Sequence, residues 1–488
     1  MNKLSSKQKE LIKRILIYII MVMAVGVIVI FVVFTIMGYR FDSNAGQIEQ
    51  YALLQFNSSP TGADVSVDGK KMSSQTPNKS AVAAGTHKIK ISRTGYQTWT
   101  KEVNIKSGVL KWLNYALLVP NKLTVEPVAS YAALNNTLAS PNGHYMLVQN
   151  QIDSPSFDLV NINSDTIKTT KLTIPSDIYS DASTAGVVHS FTISKWDGDS
   201  RYVLIKHTSN DKDEWLVLDT QAEKTTKNIT KLFDFAISYI DFSGTSGNVF
   251  YALGSNDIRK LDLSAGTMSR TLVNNVASFS VYGNDIITYV SNVAADTNQM
   301  TVGLYRDGDE ESYALRTIVK TEGSDVNITT ARYFNKDYVA ISNGTKIDIL
   351  SGKYPSSIND KTDNLKTLTS LTVDQGVQQL KFSPSGEYLF MQSGAFYASY
   401  DLEYKSLATS SIAGNGNTSE LKWLNDNYIW SDRDGKLTIR EFDGSNMHSI
   451  NSVQSGQSVT LANNGRYLYS INKIASGYQL QRVRMILP

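Results

Sequence analysis

One turn recurs eight times between residues 140 and 467, and it restricts the fold of this 488-residue chain more tightly than any other feature. Two copies are nearly identical: Ser140-Pro141-Asn142-Gly143-His144-Tyr145 and Ser383-Pro384-Ser385-Gly386-Glu387-Tyr388. Six looser copies keep a polar turn followed by an apolar strand start, at Tyr202, Phe250, Ile286, Tyr338, Tyr428 and Tyr467. Successive strand starts lie 57, 48, 36, 52, 50, 40 and 39 residues apart, a mean of 46. That period falls among those of four-stranded propeller blades. Each repeat also has the right parts. A short strand precedes the turn, as in Leu380-Lys381-Phe382, and an apolar strand follows it, as in Tyr388 to Met391. A third strand often ends near aspartate (Asp219, Asp262, Asp401, Asp443), and a Ser/Thr-rich fourth strand faces water.

The Ser-Pro-x-Gly-x-Tyr turn resembles that of bacterial propellers of the WD-like class. The last repeat has room for only three strands before Pro488, while Leu123 to Val128 is extended and has no hairpin partner of its own. The simplest closure lets this early segment complete the last blade, which removes the exposed edges of an open ring. Seven blades plus an irregular insertion is the alternative count.

The N-terminal region follows another rule. From Ile15 to Tyr39 the chain runs 25 residues without a charged side chain. About 20 apolar helical residues are enough to cross a bilayer. Lys3, Lys7, Lys9, Lys13 and Arg14 precede the run, against the single acid Glu10. A basic flank on a short tail holds that tail in the cytoplasm, so residues after Arg40 are expected across the membrane. A cleaved secretory signal would have a shorter apolar region and a small-residue cleavage site, which Tyr39-Arg40-Phe41-Asp42 does not supply.

Between these regions, Leu53, Phe56, Val65, Val67, Ile89, Ile91, Val103 and Ile105 fall in short alternating runs, the pattern of half-buried strands. Turn signals punctuate them, and Asp68-Gly69 predicts a tight hairpin. The expectation is about 65 residues of antiparallel sheet, with His87 as a packing residue. The series Ser59-Pro60-x-Gly62-Ala63-x-Val65-x-Val67-Asp68-Gly69, Thr76-Pro77, Gly85-x-His87-x-Ile89-x-Ile91 and Gly95-Tyr96 resembles the PEGA domain. Thr61 stands where that family's name has glutamate, and Gln75 where glycine often precedes Thr-Pro. The resemblance implies a small β-sandwich-like module of a microbial surface protein, associated with the envelope or with binding rather than catalysis.

Composition closes several routes. The chain has no cysteine, which excludes thiol catalysis, zinc–thiolate sites and disulfides. Outside the tail there are 42 basic and 44 acidic residues, a net charge of −2, which gives no electrostatic reason to invoke nucleic acid. The five histidines include no zincin pair, and neither a G-x-S-x-G elbow nor a phosphate-binding loop is present. The acidic stretches Asp307 to Glu311, Asp211 to Glu214 and Asp432 to Gly435 lack the calcium-loop ligand order and read as hairpin tips. No catalytic residue, cofactor or metal ligand is therefore expected.

Strand alternation puts the second-to-third and blade-to-blade loops on one face of a propeller. There Asn150 to Ser156, Thr208 to Glu214, Asn292 to Gln299 and the connection from Pro175 to Val188 read as long loops. The Ser351 to Asn364 excursion falls on the opposite face. Elaborated loops on a rigid ring are where binding sites usually lie, and Tyr179, His207, Asp211 and Asp213 are the candidate binding residues. The sequence thus predicts an all-β ectodomain, a PEGA module plus a seven- or eight-bladed β-propeller, preceded by one transmembrane helix. Its segments are a cytoplasmic tail (1–14), membrane helix (15–39), linker (40–52), PEGA domain (53–120) and propeller (121–488). The expected protein is not an enzyme. It is a single-pass, N-in cell-membrane protein that binds a surface glycan, envelope polymer or partner protein outside the cytoplasm. The alternative is an accessory or gating propeller of an extracytoplasmic enzyme system.

Overall fold

The computed structural model describes residues 6–42, 46–244, 247–292, 299–320, 325–354, 365–412 and 420–488. The chain forms two units, Met1–Lys122 together with Ile486–Pro488, and Leu123–Met485.

The first unit begins with the helix Ser6–Ile36, of which Glu10–Ile36 is long and apolar enough to cross a membrane. Its apolar side chains are exposed along that span, as expected of a segment whose solvent is lipid. A hairpin of Tyr39–Asp42 and Gln47–Gln50 follows, and the Tyr51 amide then donates to the Gly38 carbonyl at 2.9 Å.

Two sheets come next. One has the order Asn78–Val82, Ala52–Ser59, Leu110–Leu117, and the other Lys70–Lys71, Asp64–Val67, Gly85–Ser92, Trp99–Ile105. Leu54, Phe56, Val65, Ile89, Ile91, Trp99 and Leu113 fill the space between them. Two expectations need correction. Leu53 is 38% exposed, and the buried row is Ala52, Leu54, Phe56 and Ser58. Sheet alternation allows only one of two adjacent leucines to face the core. Nor is the module antiparallel throughout, because Leu53 to Phe56 pair in parallel with Leu110 to Leu113.

In the second unit, eight four-stranded antiparallel sheets lie among the described residues. Seven run a–b–c–d in chain order, from blade 1 (Asn136–Ala139, Tyr145–Gln149, Ser156–Asn161, Lys168–Thr173) to blade 7 (Lys422–Trp423, Tyr428–Ser431, Lys436–Glu441, His448–Ser452). Blade 8 takes Thr460–Leu461, Tyr467–Ile474 and Gly477–Arg484 from the C-terminal end, and its outer strand is Val125–Tyr131. The early segment therefore completes the last blade, and the count is eight.

The recurrent turn lies between strands a and b, and in its two best copies the chemistry is visible. Ser140 Oγ accepts from the Tyr145 amide at 2.9 Å, and Ser383 Oγ accepts from the Tyr388 amide at 3.1 Å. Gly143 and Gly386 have φ of +66° and +79°, a region glycine enters without steric cost. Blade 5 is Val326–Tyr333, Lys336–Asn343, Lys346–Gly352 and Leu365–Thr372, and blade 6 is Gln379–Phe382, Tyr388–Ser393, Phe396–Asp401 and Ser406–Ser411. A Cβ on Gly386 would stand 2.8 Å from the Arg332 carbonyl of blade 5, and one on Gly143 would stand 2.9 Å from the Leu461 carbonyl of blade 8. The turn is thus also a docking point onto the preceding blade. The aspartates ending the third strands fold the next turn: Asp262 accepts from the Ser264 and Ala265 amides, and Asp401 from those of Glu403 and Tyr404. Apolar clusters bridge neighbouring blades, and Met146, Val148, Tyr467, Tyr469 and Leu480 join blade 1 to blade 8. Between blades 7 and 8, Gln481 Nε2 donates to the Ser452 carbonyl at 2.8 Å.

Candidate functional site

Blade 2 consists of His189–Trp196, Tyr202–Ser209, Lys212–Asp219 and Lys227–Asn228. The expected long loop from Thr208 to Glu214 does not exist. The strands run on to Ser209 and resume at Lys212, leaving the two-residue turn Asn210-Asp211, with φ of +48° and +61°. Two left-handed residues make the turn whose twist matches that of a hairpin, and asparagine and aspartate tolerate it. Pairing then sets Phe191 opposite His207 and His207 opposite Glu214 across three strands.

Burial and hydrogen bonding make this row a unit. His207 is fully buried, and its Nδ1 lies 3.1 Å from Glu214 Oε2. His207 Nε2 lies 3.0 Å from Nδ1 of His189, which is half-buried at the start of the inner strand. Glu214 also accepts from the Ser180 amide at 3.0 Å and from the Ser180 hydroxyl. Burial pushes the Glu214 carboxyl up, but His207 and the two Ser180 donors outweigh it and bring it down to about 2. An ionised carboxylate only accepts, so His207 Nδ1 carries the proton of that bond. Tyr179 covers the row, with its ring centroid 5.0 Å from His207, 5.1 Å from Phe191 and 5.6 Å from His189. The arrangement is a carboxylate–imidazole–imidazole chain roofed by a tyrosine. Its outward end, His189, can exchange a hydrogen bond or a proton with a bound group.

Of the four candidate residues, Tyr179 and His207 meet and the two aspartates do not join them. Asp211 is a turn residue. Asp213 is one position from Glu214 and so faces the opposite side of the sheet, where it accepts from Thr208 Oγ1 and pairs with Lys206 Nζ, both at 2.7 Å. Sequence reading missed His189, Phe191 and Glu214. Their signal was the Asn-Asp dipeptide: centring a hairpin on it puts Glu214 opposite His207, whereas a loop hides the pairing.

A concavity lies on the same face, where inner strands begin and second strands end. It encloses about 400 Å³ and is lined by Asn327, Gln378, Gln379, Lys381, Gln392 and Glu420 of blades 5 to 7. Glu420 Oε1 accepts from Gln379 Nε2 at 2.6 Å and from Lys381 Nζ at 2.9 Å. Asn150 to Pro155 is an open loop on this face, as expected. Most of the expected Asn292–Gln299 loop and of the Ser351–Asn364 excursion lies outside the described residues.

Residues 52–119 match the PEGA domain. No curated protein matches the chain. The β-propeller domain of Cps50 (Swd1) from Myceliophteria thermophila is similar at 10% identity and a TM-score of 0.39, over 74% of this chain and 99% of that one. Hsv2 from Kluyveromyces lactis is similar at 12% identity and a TM-score of 0.38, over 72% and 99%. The tricorn protease is similar at 11% identity and a TM-score of 0.42, over 75% of this chain and 38% of that one. The propeller assignment rests on the strand order of the eight sheets themselves.

Proposed function

We propose that this chain is a membrane-anchored binding or scaffolding protein of the cell envelope. In this reading Ser6–Ile36 is a single-pass anchor with its N-terminus inside, and the PEGA module and propeller lie outside the cytoplasm. The ligand class we favour is a hydroxyl-rich surface glycan or envelope polymer, captured on one face of the ring. A partner protein is the competing ligand on the same face.

The observation that carries the reading is that the polar concavity of blades 5 to 7 opens where second-to-third and blade-to-blade connections lie. The concavity of blades 5 to 7 is rich in amides. An amide presents a donor and an acceptor side by side, as neighbouring sugar hydroxyls do. A PEGA module and a propeller are also binding or scaffolding architectures. The test is binding of the full-length chain to isolated envelope polysaccharide. Asn327→Ala and Lys381→Ala should each weaken retention at least tenfold with unchanged melting. Retention that ignores both substitutions but is competed by envelope protein would replace the glycan with a protein partner.

The Glu214–His207–His189 chain favours the second reading, an accessory to an extracytoplasmic enzyme system, because it ends in an imidazole able to move a proton. His189→Ala would then lower an envelope hydrolytic activity while leaving glycan retention intact.

A further inference from the structure

The PEGA module holds a cavity of about 720 Å³ that the reading above does not use. Small-ligand sites typically span about 300–1,000 Å³. Five basic residues line it, Arg40, Lys70, Lys71, Lys79 and His87, against one carboxylate, Asp68. Most of this lining comes from the hairpin strand Lys70–Lys71, the edge strand Asn78–Val82 and the Asp68-Gly69 turn that the sequence identifies. Lys71 is tied to Asp64 at 2.7 Å, so a second acid neutralises part of the rim. Counting both acids, and His87 as charged, the wall keeps an excess of three positive charges.

His87 is the informative member. It was expected to be a packing residue, yet both of its ring nitrogens are hydrogen-bonded. Nδ1 lies 2.7 Å from Asp68 Oδ2, and Nε2 lies 2.9 Å from the Ala83 carbonyl. An ionised carboxylate and a carbonyl both accept, so satisfying the two contacts requires a proton on each nitrogen. That geometry favours the doubly protonated ring. Partial burial pulls its pKa down, but Asp68 and the Ala83 carbonyl outweigh it and leave the group above its ordinary value. Asp68 is held in place by its second oxygen, which accepts from the Lys88 amide at 2.8 Å. The cavity therefore has a hydrogen-bonded His87–Asp68 pair in its wall and lysines at its rim.

Arg40 places this cavity. It lies four residues beyond the last residue of the membrane-length helix. The chain between them is tied to the module by Tyr51 to Gly38 and by Gln50 Nε2 to the Met37 carbonyl at 3.0 Å. If the helix spans a membrane, a cationic recess this close to its end in the chain lies within reach of headgroup phosphates.

We propose that this recess binds a phosphate group, and specifically the phosphodiester headgroup of an anionic phospholipid in the leaflet the helix enters. The lipid assignment rests on the anchor reading above. The phosphate chemistry rests on the cations alone. Bound this way, the headgroup would fix the module's orientation on the membrane.

The experiment uses the full-length chain in a neutral, phosphate-free maltoside micelle. It is titrated calorimetrically with dioctanoyl phosphatidylglycerol, dioctanoyl phosphatidylcholine and inorganic phosphate. Phosphatidylglycerol should bind at least tenfold tighter than either of the others and be displaced by millimolar phosphate. The pair Lys70→Glu/Lys79→Glu should weaken it at least tenfold. Lys336→Glu/Lys346→Glu, the same charge change on blade 5, should not. Lys70→Gln/Lys79→Gln should give an intermediate loss, which keeps the site readable if charge reversal unfolds the module. Phosphate binding as tightly as the lipid would overturn the lipid assignment. Equal binding of the two lipids, or indifference to both lysine pairs, would overturn the site. A chain found released from cell membranes would sink the anchor while leaving the micelle titration interpretable.

Discussion

Two glutamates carry opposite charge penalties, and each gives a pH signature. Glu214 is held at about 2 by His207 and Ser180 despite its burial. A depressed carboxylate contributes fully above its unfolded value near 4.5, and the contribution is lost as pH falls from there toward 2. Glu387 behaves in the reverse sense. Burial, with Asp401, Glu403 and Asp426 nearby, pushes it up to about 7 against a lowering bond from Tyr388. A raised carboxyl binds its proton more tightly in the folded state, so stability declines as pH rises from about 4.5 to 7. Each effect is worth at most about 3 kcal/mol. Melting from pH 2.5 to 8 should show Glu214→Gln blunting the loss on the acid side. Glu387→Gln should raise the melting temperature at pH 8 and change little at pH 4. A Glu387→Gln chain that melts lower at pH 8 would show that the ionised side chain is stabilising instead.

At the scale of elements, ring closure is the joint on which the propeller depends. Val125–Tyr131 pairs with Gly477–Arg484 across a bulge between Pro127 and Ala129. Without that strand the third strand of blade 8 becomes an open edge, and its backbone groups lose their partners. A chain beginning at Lys122 should melt cooperatively. One beginning at Ala132 should melt at least about 10 °C lower or lose its cooperative transition. Equal melting would show that seven complete blades and an open eighth suffice. This joint was legible in the sequence because it is an arithmetic matter: three strands remain at one end and an unpartnered one stands at the other. The eight turns were legible because serine, glycine and aspartate each perform a local task there. The pairing of His207 with Glu214 was not. It depends on register, and register follows from a two-residue turn whose Asn-Asp lacks the usual glycine. Leu53 and Leu54 failed for the related reason that adjacent apolar residues leave the phase of a strand undecided.

At the scale of the whole molecule, the reading depends on which side of a membrane the ring occupies, and the composition supplies a clean reporter. The chain has no cysteine, so any single introduced thiol is the only one present. Ser476 is exposed in the turn between the last two strands of blade 8. Asn2 precedes the apolar run on the side of its basic flank. In the proposed topology these two positions lie on opposite sides of the bilayer, because four lysines and an arginine flank the run within the first 14 residues. A membrane-impermeant maleimide added to intact cells should therefore label Ser476→Cys and spare Asn2→Cys until the cells are lysed. Labelling of Asn2→Cys alone would invert the topology and put the propeller in the cytoplasm, where an envelope polymer could not reach it. Labelling of Ser476→Cys in the culture medium rather than on the cells would identify the helix as a cleaved signal. The propeller would then act away from the membrane, and the basic recess beside Arg40 would have no leaflet to face.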